Sequence, residues 1–302
     1  MWFWLSLIAL LCWSGSDLFS KIGCRDPRDK FSPLKMVIAV GVVMGLHAAY
    51  EIFVGGTEIN LSILLTYLPV SLLYIGSMTL GYVGLRYIEL SISSPICNSS
   101  GALVAVMTLI FSGISGYSPL ALVAVALVCA GAIGLGVVDA CEDEDLRAAR
   151  QEASNYKYAK SAMALAMPVA YCLLDAAGTF ADNRVLETLN EDSANVAYEL
   201  TFLLAAVVCF VYVVLIKRTP LIPKLEAPKY IGAVCETAGQ FAYIYAIADT
   251  EHLAMSAPII SSYCAASVLW SRIFLKEKLS WMHYLMILLI IIGIAIMGFF
   301  DM

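Results

Sequence analysis

Residues 243–300 read YIYAIADTEHLAMSAPIISSYCAASVLWSRIFLKEKLSWMHYLMILLIIIGIAIMGFF, and this stretch decides the fold class. Two apolar runs, 253–275 and 279–300, are separated only by Lys276-Glu277-Lys278. Each run is about 20 residues long, enough for a helix to cross the roughly 30 Å hydrocarbon core of a bilayer. The short charged connection predicts that the two helices form an antiparallel membrane hairpin.

The composition of the whole chain agrees with this interpretation. The 302 residues are 61% hydrophobic and 14% charged, with a mean hydropathy of +0.84. Soluble domains are nearer half apolar and a quarter charged, so the water-soluble classes are excluded. The nine cysteines lie mostly in apolar runs without a CxxC pair or a Cys/His cluster, which favours packing roles over a disulfide framework or a zinc site.

Ten apolar segments divide the chain into two sets of five. A polar linker, 139–158, separates a first repeat at 1–138 from a second at 159–302. The first segment lacks a positive n-region and an A-x-A-like cleavage site, so we expect a membrane span rather than a removed signal peptide. The predicted spans are roughly 2–22, 34–54, 65–88, 91–112, 118–138, 159–181, 195–216, 228–248, 252–275 and 279–300.

The two sets of five resemble each other. Residues 82–111 align without a gap on 245–274 (245 − 82 = 163), with nine identities in thirty positions that include Pro95/Pro258 and Ser99/Ser262. Because each repeat has an odd number of spans, the second must enter the membrane from the opposite side. The prediction is therefore an all-α membrane protein with ten helices in two inverted five-helix repeats, a layout of many secondary transporters.

Basic residues give an orientation. The loops that follow odd-numbered spans hold 17 of the 18 Lys and Arg residues, and the other side holds only Arg184. The positive-inside rule places the rich side in the cytoplasm. We therefore expect a multi-pass cell-membrane protein whose linker is cytoplasmic and whose termini are both outside.

Several motifs resemble the EamA-like branch of the drug/metabolite transporter superfamily. Residues 274–280, FLKEKLS, are similar to the "lgErls" signature of that family, and Ala257-Pro258 in span nine, Trp13-Ser14-Gly15 in span one and the five-plus-five duplication add to the likeness. The resemblance implies export or uptake of small metabolites such as amino acids, quaternary amines or drugs. Two features depart from the family pattern. Residues 112–116, which align with 275–279 in the second repeat, contain no equivalent of Glu277. Family members also usually have cytoplasmic termini, whereas the basic residues of this chain predict termini outside.

Acidic residues inside spans are costly and so suggest function. Asp17 lies one turn after Trp13, and Asp175 lies one turn after Tyr171, at related positions of the two repeats. We expect facing carboxylates where the halves meet. The alternative for Asp17 is a helix-end ion pair with Lys21 at i+4.

Glu236 is the sharpest candidate. Gln240 and Tyr243 follow it at i+4 and i+7, so an acid, an amide and a phenol share one helix face. This face predicts binding of a cationic or zwitterionic substrate, or uptake of a proton during exchange. The alternative is a patch of interhelical hydrogen bonds.

Spans four and nine carry matching faces, each with a proline that removes a helix hydrogen bond. Such openings are tolerated where protein or a water-filled cavity satisfies the backbone. We expect both faces to line a cavity, with close packing of small residues as the alternative. The predicted substrate-binding residues are Trp13, Asp17, Tyr82, Asn98, Ser99, Tyr171, Asp175, Glu236, Gln240, Tyr243, Ser262 and Tyr263.

Aromatic side chains are numerous beside these carboxylates, and together they could hold a quaternary amine by cation–π contacts. Anchoring at the membrane interface is the alternative interpretation for Tyr and Trp.

Spans five and ten carry almost no polar side chains, so we expect the cavity between spans one, three, four, six, eight and nine.

These patterns favour a secondary transporter over an intramembrane enzyme, a channel or a receptor. No HExxH motif and no P-loop occurs, so neither a metalloprotease site nor an ATP-driven motor is indicated. We expect alternating access coupled to protons or another ion, with an uncoupled facilitator as the alternative. The expected partners are a small-molecule substrate, the lipid bilayer and the coupling ion, with no cofactor, no metal and no nucleic acid.

Overall fold

The computed structural model describes residues 1–24, 26, 28–88, 90–113, 117–140 and 162–299. These residues form helices, turns and short connections, with no strand among them, which confirms the all-α prediction. Most of the predicted 139–158 linker lies outside the described residues.

Twelve α-helices follow one another along the described chain, and three of them continue into a π-helical turn. The π-helical turns are Glu51–Gly55 after α2, Val211–Ile216 after α8 and Ser271–Leu275 after α11. The helices are α1 (Trp2–Cys24), α2 (Ser32–Tyr50), α3 (Leu61–Tyr87), α4 (Leu90–Asn98), α5 (Ser100–Ser112), α6 (Pro119–Ala140), α7 (Ala162–Val185), α8 (Glu191–Phe210), α9 (Pro223–Ala248), α10 (Leu253–Ser261), α11 (Tyr263–Trp270) and α12 (Trp281–Gly298).

Eight segments of the described chain are long and apolar enough to cross a membrane. They are α1, α2, α3, the pair α4–α5, α6, α8, the pair α10–α11 and α12, each with its π-helical turn where one follows. Helices α7 and α9 have 24 and 26 residues and are also long enough, but they are more polar and fall outside this set. Eight of the predicted spans are thus confirmed as apolar helices of membrane-crossing length, and the ten-span arrangement stays a prediction.

The outer surface of the helices is rich in large apolar side chains. Leu46, Phe53, Leu204, Leu215 and Trp281 are each more than half exposed. Contiguous apolar surface of this kind is unusual on soluble monomers. It is the surface that bilayer lipid would cover.

Two helices break at matching places. The α4–α5 pair is interrupted at Ser99, four residues after Pro95, and the α10–α11 pair is interrupted at Ser262, four residues after Pro258. In both, the serine N–H donates to the proline carbonyl, at 3.1 Å for Ser99 and 3.0 Å for Ser262. The two breaks lie 163 residues apart (262 − 99), the same offset as in the sequence alignment.

The principal helix pairs join the first half of the chain to the second. Helix α1 packs on α9, α2 on α8, α3 on α7, α5 on α10 and α6 on α12. Glycines allow the closest approaches: a Cβ added to Gly101 would lie 2.8 Å from the Ala257 carbonyl oxygen, and one added to Gly293 would lie 2.8 Å from that of Ala124. Small residues at helix contacts are typical of membrane bundles.

Candidate functional site

A cavity lies between the two halves of the chain. Its wall is formed by residues of α1, α3, α4, α5, α7, α8, α9, α10 and α11. No described residue of α6 or α12 reaches it, which agrees with the prediction that spans five and ten are peripheral. The predicted set of cavity-lining spans was incomplete, because Tyr198 of α8 also lines the wall.

Three carboxylates line this cavity: Asp17, Asp175 and Glu236. Helix α1 carries the first, and α7 and α9, the two most polar long helices, carry the others. None of the described lining residues is Lys, Arg or His. Carboxylates buried without a cation are costly, so the local charge balance favours a positively charged occupant or a bound proton.

Serine hydroxyls hold the carboxylates in place. Asp17 Oδ2 accepts hydrogen bonds from Ser94 and, at 2.8 Å, from Ser267, which lie on α4 and α11. Ser100 of α5 donates to Asp175 Oδ2 at 2.7 Å. These bonds fix each carboxylate to a helix next to one of the two breaks. The ion pair between Asp17 and Lys21, the alternative from sequence, is not the contact observed here.

Glu236 is positioned by α1. Its carboxylate is buried beside the Ser16 side chain of α1. Its backbone carbonyl oxygen accepts a 3.3 Å hydrogen bond from Trp13 Nε1. A Cβ added to Gly239 would lie 2.6 Å from the same Nε1 atom, so this glycine allows the indole to lie flat against α9.

Aromatic rings form much of the cavity wall. The centroid of the Trp13 ring lies 5.0 Å from that of Tyr243 and 5.8 Å from that of Tyr263. Rings within about 6 Å of a cation can attract it through their faces. The full set of aromatic lining residues is Trp13, Tyr74, Tyr82, Tyr171, Tyr198, Tyr243 and Tyr263.

Three polar side chains in the wall have no hydrogen-bond partner. Tyr82 Oη, Gln240 Nε2 and Ser20 Oγ are buried and unpartnered among the described residues. All three belong to residues that line the cavity. Buried donors without partners cost about 1–3 kcal/mol each, so they indicate groups that a ligand could satisfy.

A hydrogen-bonded cluster around Asp182 lies at one end of the cavity. This fully buried carboxylate accepts a 2.7 Å hydrogen bond from Tyr67 Oη and a 3.4 Å bond from Tyr74 Oη. Tyr74 in turn hydrogen-bonds to Tyr243, and both bond to Thr179. We call this the Asp182 end.

A second cluster, around Lys21, lies at the other end of the cavity, where Ser20 and Leu85 line it. The buried Nζ of Lys21 donates to the carbonyl oxygens of Leu85, at 2.7 Å, and Ile88, at 2.6 Å, at the end of α3. Nearby, Glu277 accepts a 3.3 Å hydrogen bond from the Ser91 N–H in the first turn of α4. Tyr67 and Leu85 are 18 residues apart on α3 (85 − 67), about 27 Å along a helix. The Lys21 end and the Asp182 end are therefore opposite ends of one cavity.

Ten of the twelve predicted site residues line the cavity, and Ser99 and Ser262 do not. Both lie at the helix breaks, where their hydroxyls bond back to their own helices: Ser99 Oγ to Pro95 O at 3.0 Å and Ser262 Oγ to Ile259 O. Serine hydroxyls compete for nearby backbone groups in this way. The ten lining residues are Trp13, Asp17, Tyr82, Asn98, Tyr171, Asp175, Glu236, Gln240, Tyr243 and Tyr263.

Sequence reasoning missed Asp182 and the serines that bind the aspartates. Asp182 is followed by Asn183 and Arg184, so it has the appearance of an ordinary polar helix end. Ser94, Ser100 and Ser267 are partners over separations of 77, 75 and 250 residues, which no local pattern reveals.

Comparison with known proteins finds a family match in the second half of the chain. Residues 164–299 match the EamA-like transporter family, which is part of the drug/metabolite transporter superfamily, and this confirms the resemblance seen in the motifs. One solved crystal structure of a protein aligns with 98% of this chain and 96% of its own, with a TM-score of 0.62 and 14% identity, which supports the fold alone. No curated protein matches the chain.

Proposed function

We propose that this chain, which carries an EamA-like transporter segment at residues 164–299, is a secondary transporter of a small cationic metabolite. The observation that carries the proposal is the cavity with three carboxylates and no basic residue in its described lining. A cation in this cavity offsets the cost of burying the carboxylates.

The aromatic wall supports the same substrate class. Trp13 lies beside Glu236 and against both Tyr243 and Tyr263, and the faces of these rings suit an ammonium or quaternary ammonium group. We assign substrate contact to Asp17, Asp175 and Glu236 and the ring contacts to this aromatic cluster.

An arrangement of two repeats with five spans each is consistent with the packing contacts observed between the helices. In this arrangement the pairs α4–α5 and α10–α11 each count as one span. Exchanging first-half spans with their second-half equivalents converts the α1–α9 contact into the α7–α3 contact and the α5–α10 contact into the α11–α4 contact, and all four helix pairs pack together. The same exchange leaves the α2–α8 and α6–α12 contacts unchanged. The matching breaks at Ser99 and Ser262 follow the same exchange. These features support ten spans with repeats at 1–138 and 159–302. The distribution of basic residues supports a cytoplasmic linker with both termini outside.

Alternating access would require each cavity end to open in turn. The Asp182 end is held by phenol–carboxylate hydrogen bonds between α3, α7 and α9, and the Lys21 end by an ammonium on the α3 carbonyls. Because different side chains hold the two ends, either can open without breaking the other. Coupling would arise if a carboxylate releases its proton when the cation binds.

Purified protein in proteoliposomes tests the proposal. We expect labelled organic cations, screened first by thermal shift with amines, amino acids and nucleosides, to be taken up against a concentration gradient when a proton gradient is imposed. Saturable uptake that only follows the substrate gradient would identify an uncoupled facilitator. No saturable uptake of any cation that shifts the melting temperature would contradict transport.

A further inference from the structure

Two hydrogen-bond donors without acceptors in the cavity wall indicate a second property of the substrate, in addition to its positive charge. Tyr82 Oη, on α3, and Gln240 Nε2, on α9, belong to side chains that are 6% and 3% exposed and line the cavity. Each has a hydrogen to donate and no acceptor among the described residues. A ligand oxygen is the group that both are suited to bind.

Charge in the cavity distinguishes among possible oxygen groups. The donors are neutral, and the described wall contains no Arg, Lys or His that could balance a ligand carboxylate. Strong carboxylate sites normally use charge-assisted donors such as Arg. Glu236 lines the same cavity as Tyr82, so a second anion bound in it would be repelled.

We infer that the substrate is an organic cation that also carries a neutral oxygen acceptor, a hydroxyl or carbonyl group, and not a free carboxylate. Its ammonium group is bound by Asp17, Asp175 and Glu236, and its oxygen accepts from Tyr82 and Gln240. The inference rests on the proposed function, and it narrows the substrate class to amino alcohols, amino amides and related cations.

Selectivity follows from the buried donors. A site built to hydrogen-bond a substrate oxygen discriminates strongly against an analogue that lacks it, because the donors are then left without partners. A cation without oxygen therefore binds more weakly than its oxygen-bearing analogue. A zwitterion also binds more weakly, because its carboxylate meets the three acidic side chains.

Two matched sets of ligands test this on the purified full chain. Leucinamide, isopentylamine and leucine share one alkyl group and carry a neutral carboxamide, no oxygen and a carboxylate, respectively. Choline, tetramethylammonium and glycine betaine form the corresponding quaternary set, with a hydroxyl, no oxygen and a carboxylate. Binding is measured by titration calorimetry at about pH 6.5, where the amines are charged. In at least one set we expect the neutral-oxygen cation to bind about tenfold or more tightly than both other members.

The double variant Tyr82→Phe/Gln240→Leu tests whether these two donors cause the preference for a ligand with oxygen. We expect it to lose the preference for leucinamide over isopentylamine, or for choline over tetramethylammonium. Its melting temperature is measured in parallel, and Tyr82→Phe alone serves if the double variant does not fold.

The outcomes separate the two proposals. If oxygen-free cations bind as tightly as their partners, or leucine and betaine bind most tightly, the inference is wrong while cation transport can stand. An unchanged preference in a folded variant also overturns the assignment to Tyr82 and Gln240. If none of the six ligands binds or is taken up, the proposed function fails together with the inference.

Discussion

Tyr67 donates a 2.7 Å hydrogen bond to Asp182, 115 residues later in the chain, and this bond lies at the Asp182 end of the cavity. Both side chains are fully buried, and they join α3 to α7. A carboxylate held by phenols instead of a basic residue can be released without leaving a second charge unpaired. We therefore regard the pair as the contact that breaks when the Asp182 end opens.

Replacing Tyr67 with Phe removes this bond and keeps the ring. Interhelical hydrogen bonds in membrane proteins contribute about 0.6 kcal/mol on average and at most roughly 1.7 kcal/mol, so we expect a loss of that size in unfolding free energy. Titration into denaturing mixed micelles measures it. Tyr50→Phe is the matched control, because the Tyr50 side chain is 58% exposed. Equal stability of the two variants would contradict a role for the Tyr67 bond in holding this end.

Glu236→Gln is expected to abolish proton-driven uptake while leaving the fold intact. The amide preserves the size of the side chain, but it cannot carry a charge or exchange a proton. Uptake driven by a proton gradient should fall about tenfold or more, with an unchanged melting temperature. Glu58→Gln, at an exposed loop position, is the control. Wild-type uptake by the Glu236 variant would remove this residue from the mechanism.

Lys21→Met is expected to loosen the opposite end of the cavity. The substitution keeps an unbranched apolar stem but removes the ammonium that bonds the carbonyl oxygens of Leu85 and Ile88. The native Cys97 lines the cavity and can report the opening. We expect faster modification of Cys97 by aminoethyl methanethiosulfonate in Lys21→Met than in the control Lys224→Met, which alters an exposed lysine.

The assignment of this reactivity to Cys97 is checked by Cys97→Ser, which should abolish the difference. An equal rate in Lys21→Met and Lys224→Met would show that Lys21 does not hold this end closed.

The sequence predicted cavity residues correctly where a charged side chain lies within an apolar run. Asp17, Asp175 and Glu236 could be predicted as cavity residues because a carboxylate in an apolar run is costly unless it faces other protein or water. Asp182 could not, because it lies among polar residues near a helix end and its burial depends on Tyr67 and Tyr74 from another helix. The pairing of α3 with α7 is a tertiary property that no residue spacing specifies.

Gly101→Ala tests the close packing of α5 on α10. The added Cβ would lie 2.8 Å from the Ala257 carbonyl oxygen and still closer to Ser261, so the helices must separate. Overpacking of this kind costs about 1–3 kcal/mol. We expect lower thermal stability and weaker ligand binding, since Gly101 and Ala257 both line the cavity. In Gly76→Ala the nearest atom is Leu174 Cδ1 at 3.7 Å, so this control should be tolerated.

Accessibility of single introduced cysteines decides the orientation of the chain. Glu58 and Lys278 are both exposed, and they lie in connections on opposite sides of the predicted membrane. Because 17 of the 18 basic residues lie on the Lys278 side, the positive-inside rule places that side in the cytoplasm. With a membrane-impermeant maleimide on intact cells, we expect Glu58→Cys to react at once and Lys278→Cys to react only after lysis. The parent protein measures background from its native cysteines. The reverse pattern would place both termini in the cytoplasm, as the family resemblance implies, and would show that charge distribution does not set the topology of this chain.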